Sequence, residues 1–448
     1  MTSGTLANET HASRAIARVH TDTRTIQAGD LFVALAGERF DGHAFVAQAR
    51  AAGAVAALVH RDVDVNDASF ACIRVTDTLR ALGDLAFGWR RRFALPTIAV
   101  TGSNGKTTVK EMIASILAAA CGAEHRLATQ GNLNNEIGVP LTVLRLNDTH
   151  RAAVIELGMN HPGEIARIAR IAQPNVALVN NAQREHQEFM ASVEAVAAEN
   201  AACFAQLAAD GVAVFPAGTP YDALWRDLAG RRACLTFGLD EGDVRCQATQ
   251  DAQGLRLSLS GAVTIDAVRL QTVGLHNALN ATAAAACAHA AGVSADAIAR
   301  GLEAFAPVKG RLVQKRRANG ALVIDDTYNA NPDSVRAAID VLAAHGASTV
   351  LVLGDMGEVG DQGPAFHREV GEYAKARGIG RLICVGDATR DTARAYGANA
   401  THYTQHTDAI DAVRDLAPPQ VALVKGSRFM RMEHIVAALV EQEQEHAR

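Results

Sequence analysis

No sign of charge dominates this chain: 43 Lys and Arg against 48 Asp and Glu leave a net charge of −5 over 448 residues. Without a basic excess there is no global field to hold nucleic acid or an anionic membrane surface, so any phosphate ligand must be held by a local site. The seven cysteines, at 72, 121, 203, 234, 246, 287 and 384, are scattered and include no C-x-x-C pair, which argues against a disulfide framework and against a zinc cluster. The sixteen histidines form no H-E-x-x-H. No stretch of about 18 residues stays apolar enough to span a bilayer, and the start "MTSGTLANETHASRAIARVH" lacks the apolar run of a signal peptide. A cytoplasmic enzyme is expected, and nothing in the sequence asks for membrane insertion, nucleic acid or an obligatory protein partner. Repeats of fixed period and low-complexity tracts are also missing; alanine enrichment in the helical stretches is the one bias.

What is present is a globular composition, 49% hydrophobic and 20% charged, long enough for two to four domains at about 150 residues each. Three blocks separate. Residues 1–95 contain "DLFVALAG" and the helical "HAFVAQARAAGAVAALVH", and end in the basic "GWRRRFALP", with a joint expected near Pro96. Residues 96–312 alternate apolar strand-like runs ("TIAVTG", "AAVIELG", "NVALVNNA") with helical ones, the pattern of βαβ units in a largely parallel sheet. Within this block, the short runs from "RRACLTFG" to "IDAVRLQTVG" read as an antiparallel insertion or edge, followed by an alanine-rich helix from about Ala278. Residues 313–448 alternate again ("ALVIDD", "STVLVLGD", "RLICVGD", "VALVKGS"), a second open α/β sheet.

One stretch carries chemistry. "TIAVTGSNGKTTVKEMIASIL", residues 97 to 117, reads as a strand, a glycine-rich turn and a helix whose Val109, Met112, Ile113, Ile116 and Leu117 share one face. Gly102 and Gly105 let the backbone turn tightly, so that successive N–H groups converge at the positive end of the following helix, an anion cradle. Lys106 adds a full charge at the β and γ phosphates, and Thr107 offers a hydroxyl to Mg²⁺. At about 4 Å and an effective dielectric near 20, one such charge pair is worth about 4 kcal/mol. The general phosphate-loop pattern has a glycine five residues before Gly105, where Val100 stands here, so the loop is a variant one. Ligands gather at the carboxyl ends of parallel strands, which places Glu156 and the loop after Val179 in the same crevice as Lys106.

"TGSNGKTT", "TQGNLNNEIGVPLTVL", "VIELGMN", "GLHNALNATAA", "IDDTYNANPDS" and "LGDMGEVG", in this order across the chain, resemble the Mur ligases. The forms "DDTYNANPDS" and "LGDM", with the N-terminal "DTRTIQAGDLFVALAGERFDGHAF", are similar to the member that adds D-alanyl-D-alanine to UDP-N-acetylmuramoyl-tripeptide. The resemblance implies an α/β protein of three domains: an N-terminal uridine-nucleotide domain, a central phosphate-loop ATPase domain and a Rossmann-like C-terminal domain that closes on it. It implies an ADP-forming amide ligase using ATP and Mg²⁺. The chemistry has a reason: a carboxylate is a poor electrophile, and phosphorylating it to an acyl phosphate supplies a leaving group that an amine can displace.

By the same resemblance, Gly102, Ser103, Asn104, Gly105, Lys106, Thr107 and Thr108 form the nucleotide loop, Thr107, Glu156 and His186 are the metal ligands, and Lys106, Glu156, His186 and Arg311 carry the catalysis. Asn277 and Asn280 are expected on the adenine side, where an amide offers both donor and acceptor. Arg311 is expected to reach the phosphates from the hinge, with Asp326, Tyr328, Asn329 and Asn331 facing the nucleotide. Which of Asp325 and Asp326 points inward stays open. Asp22, Thr23, Arg24, Gly42 and His43 resemble the uridine contacts; Asn132, Asn134, Asn135 and Glu136 resemble the muramoyl-peptide loop. Lys425, Ser427 and Arg428 are placed to meet the dipeptide's carboxylate, with a basic surface turn as the alternative.

Many relatives carry a carbamate-modified lysine on the helix after the metal histidine. Asn200 stands at that place here, in "SVEAVAAENAACF", so Glu199 beside it is the expected source of the missing charge, and one or two Mg²⁺ sites both stay open. The loop is shared with folate polyglutamate ligases, against which the N-terminal block argues. A nucleotide switch is the rival of another class, and the N-K-x-D of a GTPase is not found.

Overall fold

In the computed structural model of the chain, which describes residues 5–6, 15–38, 40–65, 69–185, 187–251 and 254–441, the apolar run before the glycine turn is a strand, Thr97–Thr101, buried along its length. Its side chains alternate between two cores. Ile98 and Val100 pack with Val109, Met112, Ile113, Ile116 and Leu117 on one face, and Ala99 packs with Ile155, Ile165 and Ile168 on the other. A sheet covered on both faces needs apolar residues at every position, which is why such strands read as continuous runs.

This strand sits inside a nine-stranded sheet. Ala152–Glu156 and then Arg126–Ala128 lie parallel on one side of it. Val176–Val179, Val212–Pro216 and Ala233–Gly238 lie parallel on the other. The chain therefore leaves Thr97–Thr101 toward both sides, and a crevice opens at the carboxyl ends where the winding reverses. Val100 is in register with both Glu156 and Leu178, so Glu156 ends its strand level with the start of the glycine turn. The strands Val244–Asp251, Gly254–Gly261 and Ile265–Leu270 continue the sheet, the last two pairings antiparallel, as its edge.

The helix Lys106–Cys121 follows the turn, and the alanine-rich helix Leu275–Ala290 packs beside it. Ala278, Ala281 and Ala283 to Ala288, interrupted only by Cys287, are fully buried, so the alanine bias reflects helices pressed close to a sheet and to each other. One close approach is at Gly301 of the helix Ala295–Glu303, where a Cβ would lie 2.3 Å from Ile116 Cα.

The N-terminal sheet has five strands, in the order Thr5–Leu6, Ala71–Arg74, Ala56–Val59, Leu31–Val33, Val19–His20, all parallel except the first. Its closing helix, Thr78–Arg90, docks on the central unit, so the joint near Pro96 is a packed one. Trp89 Nε1 donates to Leu146 O at 2.9 Å, and buried Arg90 donates through Nε to Ala172 O at 2.9 Å and through Nη2 to Thr97 Oγ1 at 2.8 Å. The C-terminal sheet has six strands, in the order Val313–Arg316, Leu322–Asp326, Val421–Lys425, Thr349–Gly354, Arg381–Val385, Ala400–Tyr403, with only the first pair antiparallel. Asp326 and Lys425 are direct neighbours in that register. No helix among the described residues is long and apolar enough to cross a membrane.

Candidate active site

The glycine turn needs both of its glycines. Gly102 has φ +126° and Gly105 φ +81°, and a Cβ on Gly105 would lie 2.5 Å from Asn280 Oδ1. Beyond it the first intrahelical bond runs from Val109 N to Gly105 O at 2.9 Å, so the N–H groups of the first turn have no partner inside the helix. These groups line a cleft of about 880 Å³ between the central and C-terminal units.

Consecutive residues at the start of this helix are each tied to a buried carboxylate. Thr107 Oγ1 donates to Glu156 Oε1 at 3.2 Å, while Lys106 Nζ donates to Glu185 Oε2 at 3.0 Å, to Ser103 O at 3.2 Å and to Gly102 O. Glu156 is 2% exposed and Glu185 6%. Asn134 Nδ2 donates to the same Oε1 of Glu156 at 2.9 Å, and Glu156 Oε2 is a buried oxygen without a hydrogen-bond partner among the described residues. Arg311 reaches in from the C-terminal side: its Nη2 donates to Thr107 Oγ1 at 3.0 Å, and its guanidinium stacks 4.2 Å from the centre of the Tyr328 ring. His186, the third expected metal ligand, lies outside the described residues.

An asparagine ladder holds the turn from behind. Asn181 Oδ1 accepts from Asn104 N at 2.8 Å, and Asn180 Nδ2 donates to Asn104 O at 2.8 Å and to Asn280 Oδ1 at 2.9 Å. Asn280 Nδ2 in turn donates to Asn277 Oδ1 at 3.0 Å, and Asn277 Nδ2 donates to Val273 O at 2.8 Å. Asn277 and Asn280 both line the cleft, and their amides are hydrogen-bonded within the protein, where they brace the phosphate loop. Asn180 and Asn181 belong to the loop after Val179, which lies in the crevice as expected, although neither residue is singled out by the sequence reading; their signal is the "NN" that follows the strand Val176–Val179.

The Glu199 expectation is overturned. Its carboxylate accepts from Gly163 N at 2.8 Å and from Ile165 N at 3.0 Å, capping the helix Glu164–Ala172, where the partial positive charge of a helix start attracts it. Asn200 does face the loop: Oδ1 accepts from Gly102 N at 2.9 Å and Nδ2 donates to Glu185 Oε1 at 3.4 Å. The carboxylate at the loop is thus Glu185, one residue before His186, which sequence reasoning passed over.

The C-terminal unit closes the cleft. Asn331 caps the helix Pro332–Ala343, and its Nδ2 donates to Asn104 Oδ1 at 2.9 Å. Arg184, also missed, spans the two units: it donates to Asp333 Oδ1 and to Glu369 Oε2, both at 2.6 Å, and lies over the Phe366 ring at 5.1 Å. The hydrogen bond from Arg184 holds the Glu369 carboxyl at about 2, with Arg336 adding to the effect against burial. Asp326 is the aspartate on the cleft, whereas Asp325 is turned inward and pairs with Lys315 at 2.8 Å. Lys425 lines the cleft but is only 4% exposed, and its Nζ donates to Asp326 Oδ2 at 2.7 Å and to Asn329 O at 2.8 Å. Ser427 is buried and accepts from Gly357 N at 2.7 Å, and Arg428 is a surface residue paired with Glu433 at 2.9 Å, so the surface-turn alternative fits it.

Asn134, Asn135 and Glu136 border the cleft, but exposed Asn132 does not. Asn135 caps the helix Gly138–Val143 by accepting from Gly138 N at 2.9 Å, and Glu136 pairs with Arg167 at 2.5 Å. The uridine set stands apart, on the N-terminal unit. Asp22 accepts from Arg24 N at 3.0 Å and from its Nη2 at 2.6 Å, which holds its carboxyl at about 2. His43 is buried, and its Nε2 accepts from His60 N at 3.1 Å, so Nδ1 carries the proton it donates to Asp41 at 2.7 Å. Gly42 is obligatory, because a Cβ would lie 2.7 Å from Leu35 O.

The donors suit a hard cation. Among the described residues no group of three His, Cys, Asp or Glu side chains forms a closed metal site. Two buried carboxylates and a hydroxyl beside a phosphate cradle are what Mg²⁺ uses when phosphates and water complete its shell. Glu156 Oε2, buried without a partner, is an oxygen such an ion would satisfy.

Three family models match in succession: "Mur ligase family, catalytic domain" over residues 15–90, "Mur ligase middle domain" over 100–288, and "Mur ligase, glutamate ligase domain" over 310–428. The chain is 42% identical over 429 residues to the UDP-N-acetylmuramoyl-tripeptide--D-alanyl-D-alanine ligase of Escherichia coli (strain K12), covering 94% of this chain and 93% of that one. Its fold is similar to that of MurF from Acinetobacter baumannii, with a TM-score of 0.89, 38% identity and coverage of 95% and 94%. It is also similar to MurF ligase from Thermotoga maritima in complex with ADP, with a TM-score of 0.86, 25% identity and coverage of 96% and 98%.

Proposed function

The chain belongs to the Mur ligase family, and we propose that it joins D-alanyl-D-alanine to UDP-N-acetylmuramoyl-tripeptide with conversion of ATP to ADP and phosphate, a step of peptidoglycan precursor synthesis in the cytoplasm. The observation that carries the reading is the convergence on one loop: Lys106 and Thr107 on buried carboxylates, and Arg311 and Asn331 of the C-terminal side on Thr107 and Asn104. The likeness to a ligase of this specificity over 94% of the chain supports the choice of substrates.

In the proposed reaction the terminal carboxylate of the tripeptide takes the γ-phosphoryl group, ADP leaves, and the amine of the dipeptide displaces phosphate from the acyl phosphate. The free N–H groups of Lys106, Thr107 and Thr108 and the Lys106 ammonium bind the phosphates, and Arg311 brings a second cation to the phosphoryl group being transferred. Thr107 and Glu156 would hold Mg²⁺ together with His186, and the ion would supply charge neutralisation between ATP and the incoming carboxylate. Asn331 and Arg184 hold the C-terminal unit over the cleft, which keeps water from the acyl phosphate. The N-terminal five-stranded unit is the proposed seat of the uridine nucleotide.

Isotopic labelling tests the route. With ¹⁸O in the terminal carboxylate of the tripeptide, one labelled oxygen should appear in inorganic phosphate per amide formed. Phosphate free of label would refute the acyl phosphate. ATP hydrolysis that runs at full rate without either organic substrate would instead favour a nucleotide switch.

A further inference from the structure

The phosphate loop meets two buried carboxylates, and Glu185 has so far been given no chemical role beyond its contacts with Lys106 and Asn200. That contact and the proposed binding of nucleotide compete, because Nζ pairs with Glu185 Oε2 at 3.0 Å in the structure and must turn toward the phosphates when they enter. The entering phosphates add negative charge to a cleft whose wall already carries Glu156 and Glu185, both more than nine-tenths buried. Charges taken out of water are tolerated only when matched at close range. The first carboxylate presents an unpartnered oxygen there, Glu156 Oε2.

Asn200 explains how the second is held. A loop N–H, that of Gly102, needs an acceptor at 2.9 Å, and the same amide turns its Nδ2 toward Glu185 Oε1 at 3.4 Å. A lysine could not accept from Gly102, whereas asparagine accepts on one side and donates on the other. The side chain at 200 therefore orients a carboxylate that arrives from the neighbouring loop.

We infer that Glu185, oriented by Asn200, is a ligand for a divalent cation that enters with the nucleotide, and that this encoded carboxylate replaces the carbamate anion expected at position 200, making cation binding independent of bicarbonate. Lys106 pairs with the Glu185 carboxylate in the structure; with nucleotide bound, Lys106 goes to the phosphates and the cation takes its place at Glu185. The inference rests on the reading that Mg²⁺ works at this cleft.

The test counts bound Mn²⁺ by electron paramagnetic resonance on the full chain with saturating ADP and no other substrate. Glu185→Gln should lose one equivalent of Mn²⁺ or bind it at least tenfold more weakly, and a binding curve superimposable on that of the unaltered protein would overturn the inference. If Glu185→Gln does not fold, Glu185→Asp, which retracts the charge by one methylene, should weaken binding at least threefold, and an unchanged curve overturns the inference equally. The double substitution Glu185→Ala with Asn200→Lys should regain Mn²⁺ only when bicarbonate is added, as the neutral lysine amine adds to carbon dioxide and releases one proton. Mn²⁺ uptake by the unaltered protein that itself depends on bicarbonate would overturn the replacement. Failure of the unaltered protein to take up Mn²⁺ with ADP would sink the Mg²⁺ reading itself, which separates the two outcomes.

Discussion

Arg184→Ala should open the cleft. Arg184 joins the loop beside the phosphate site to Asp333 and Glu369 of the C-terminal unit, each at 2.6 Å, and all three side chains are between a fifth and a third exposed. The Glu369 carboxyl sits at about 2 against an ordinary 4.5, chiefly through its hydrogen bond from Arg184. That difference corresponds to about 3 kcal/mol at about 1.4 kcal/mol per pH unit. With a third of the Glu369 side chain in solvent, screening reduces the effective value to about 1–2 kcal/mol. If closure is needed for turnover, the variant should lose about 5–30-fold in kcat/KM. The amide-forming assay reads this directly, and the exposed Arg414–Asp411 pair supplies a control, Arg414→Ala, expected to change little. The pH dependence has a fixed sign. A carboxyl depressed in the folded chain contributes fully above about pH 4.5, and its contribution is lost as the pH falls from 4.5 toward 2, so the unaltered protein should lose interdomain stability over that window and Arg184→Ala should show a smaller loss. An Arg184→Ala enzyme within twofold of normal kcat/KM, with an unchanged acid unfolding profile, would refute the reasoning.

Three further outcomes follow from the same geometry. Lys106→Ala should lower kcat about 100- to 1,000-fold in steady-state assays, the effect of deleting one stabilising donor worth about 2.7–4 kcal/mol at a transition state. Gly105→Ala must adopt φ +81° at a cost of about 1–2 kcal/mol and place a Cβ 2.5 Å from Asn280 Oδ1, so titration calorimetry should find ADP affinity reduced at least tenfold. Lys425→Met leaves Asp326 without its ammonium partner and should destabilise the C-terminal unit by about 3–5 kcal/mol in denaturant unfolding, with much of the loss recovered when Asp326→Leu is added.

Much of the site was legible because it is local. Strand, glycine turn and helix follow one another within a few residues, so Gly102, Gly105, Lys106 and Thr107 could be assigned from spacing alone, and the end of the strand Ala152–Glu156 located Glu156. The amide and carboxylate partners could not be read so directly. Asn277, Asn280 and Lys425 each carry the right group for a ligand contact, yet each is hydrogen-bonded within the protein: Asn280 to Asn180 and Lys425 to Asp326, both distant in sequence, and Asn277 to neighbours three to five residues away. Glu199 and Glu185 make the contrast sharpest. Both are carboxylates near Asn200, in sequence or in space, but one caps a helix start and the other meets the phosphate loop.

The sequence by itself determined the alternation of apolar strands and helices and the anion cradle, because periodicity and glycine backbone freedom act over a few residues and need no partner; the family was carried by the resemblance of motifs spread along the chain. Only the tertiary structure decided which charges are matched: Lys106 with Glu185, Lys425 with Asp326, and Arg184 with Asp333 and Glu369. Such pairing depends on distances of about 3 Å between segments far apart in the chain, set by sheet register and by the docking of one unit on another, and electrostatics falls off too steeply for sequence proximity to stand in for it.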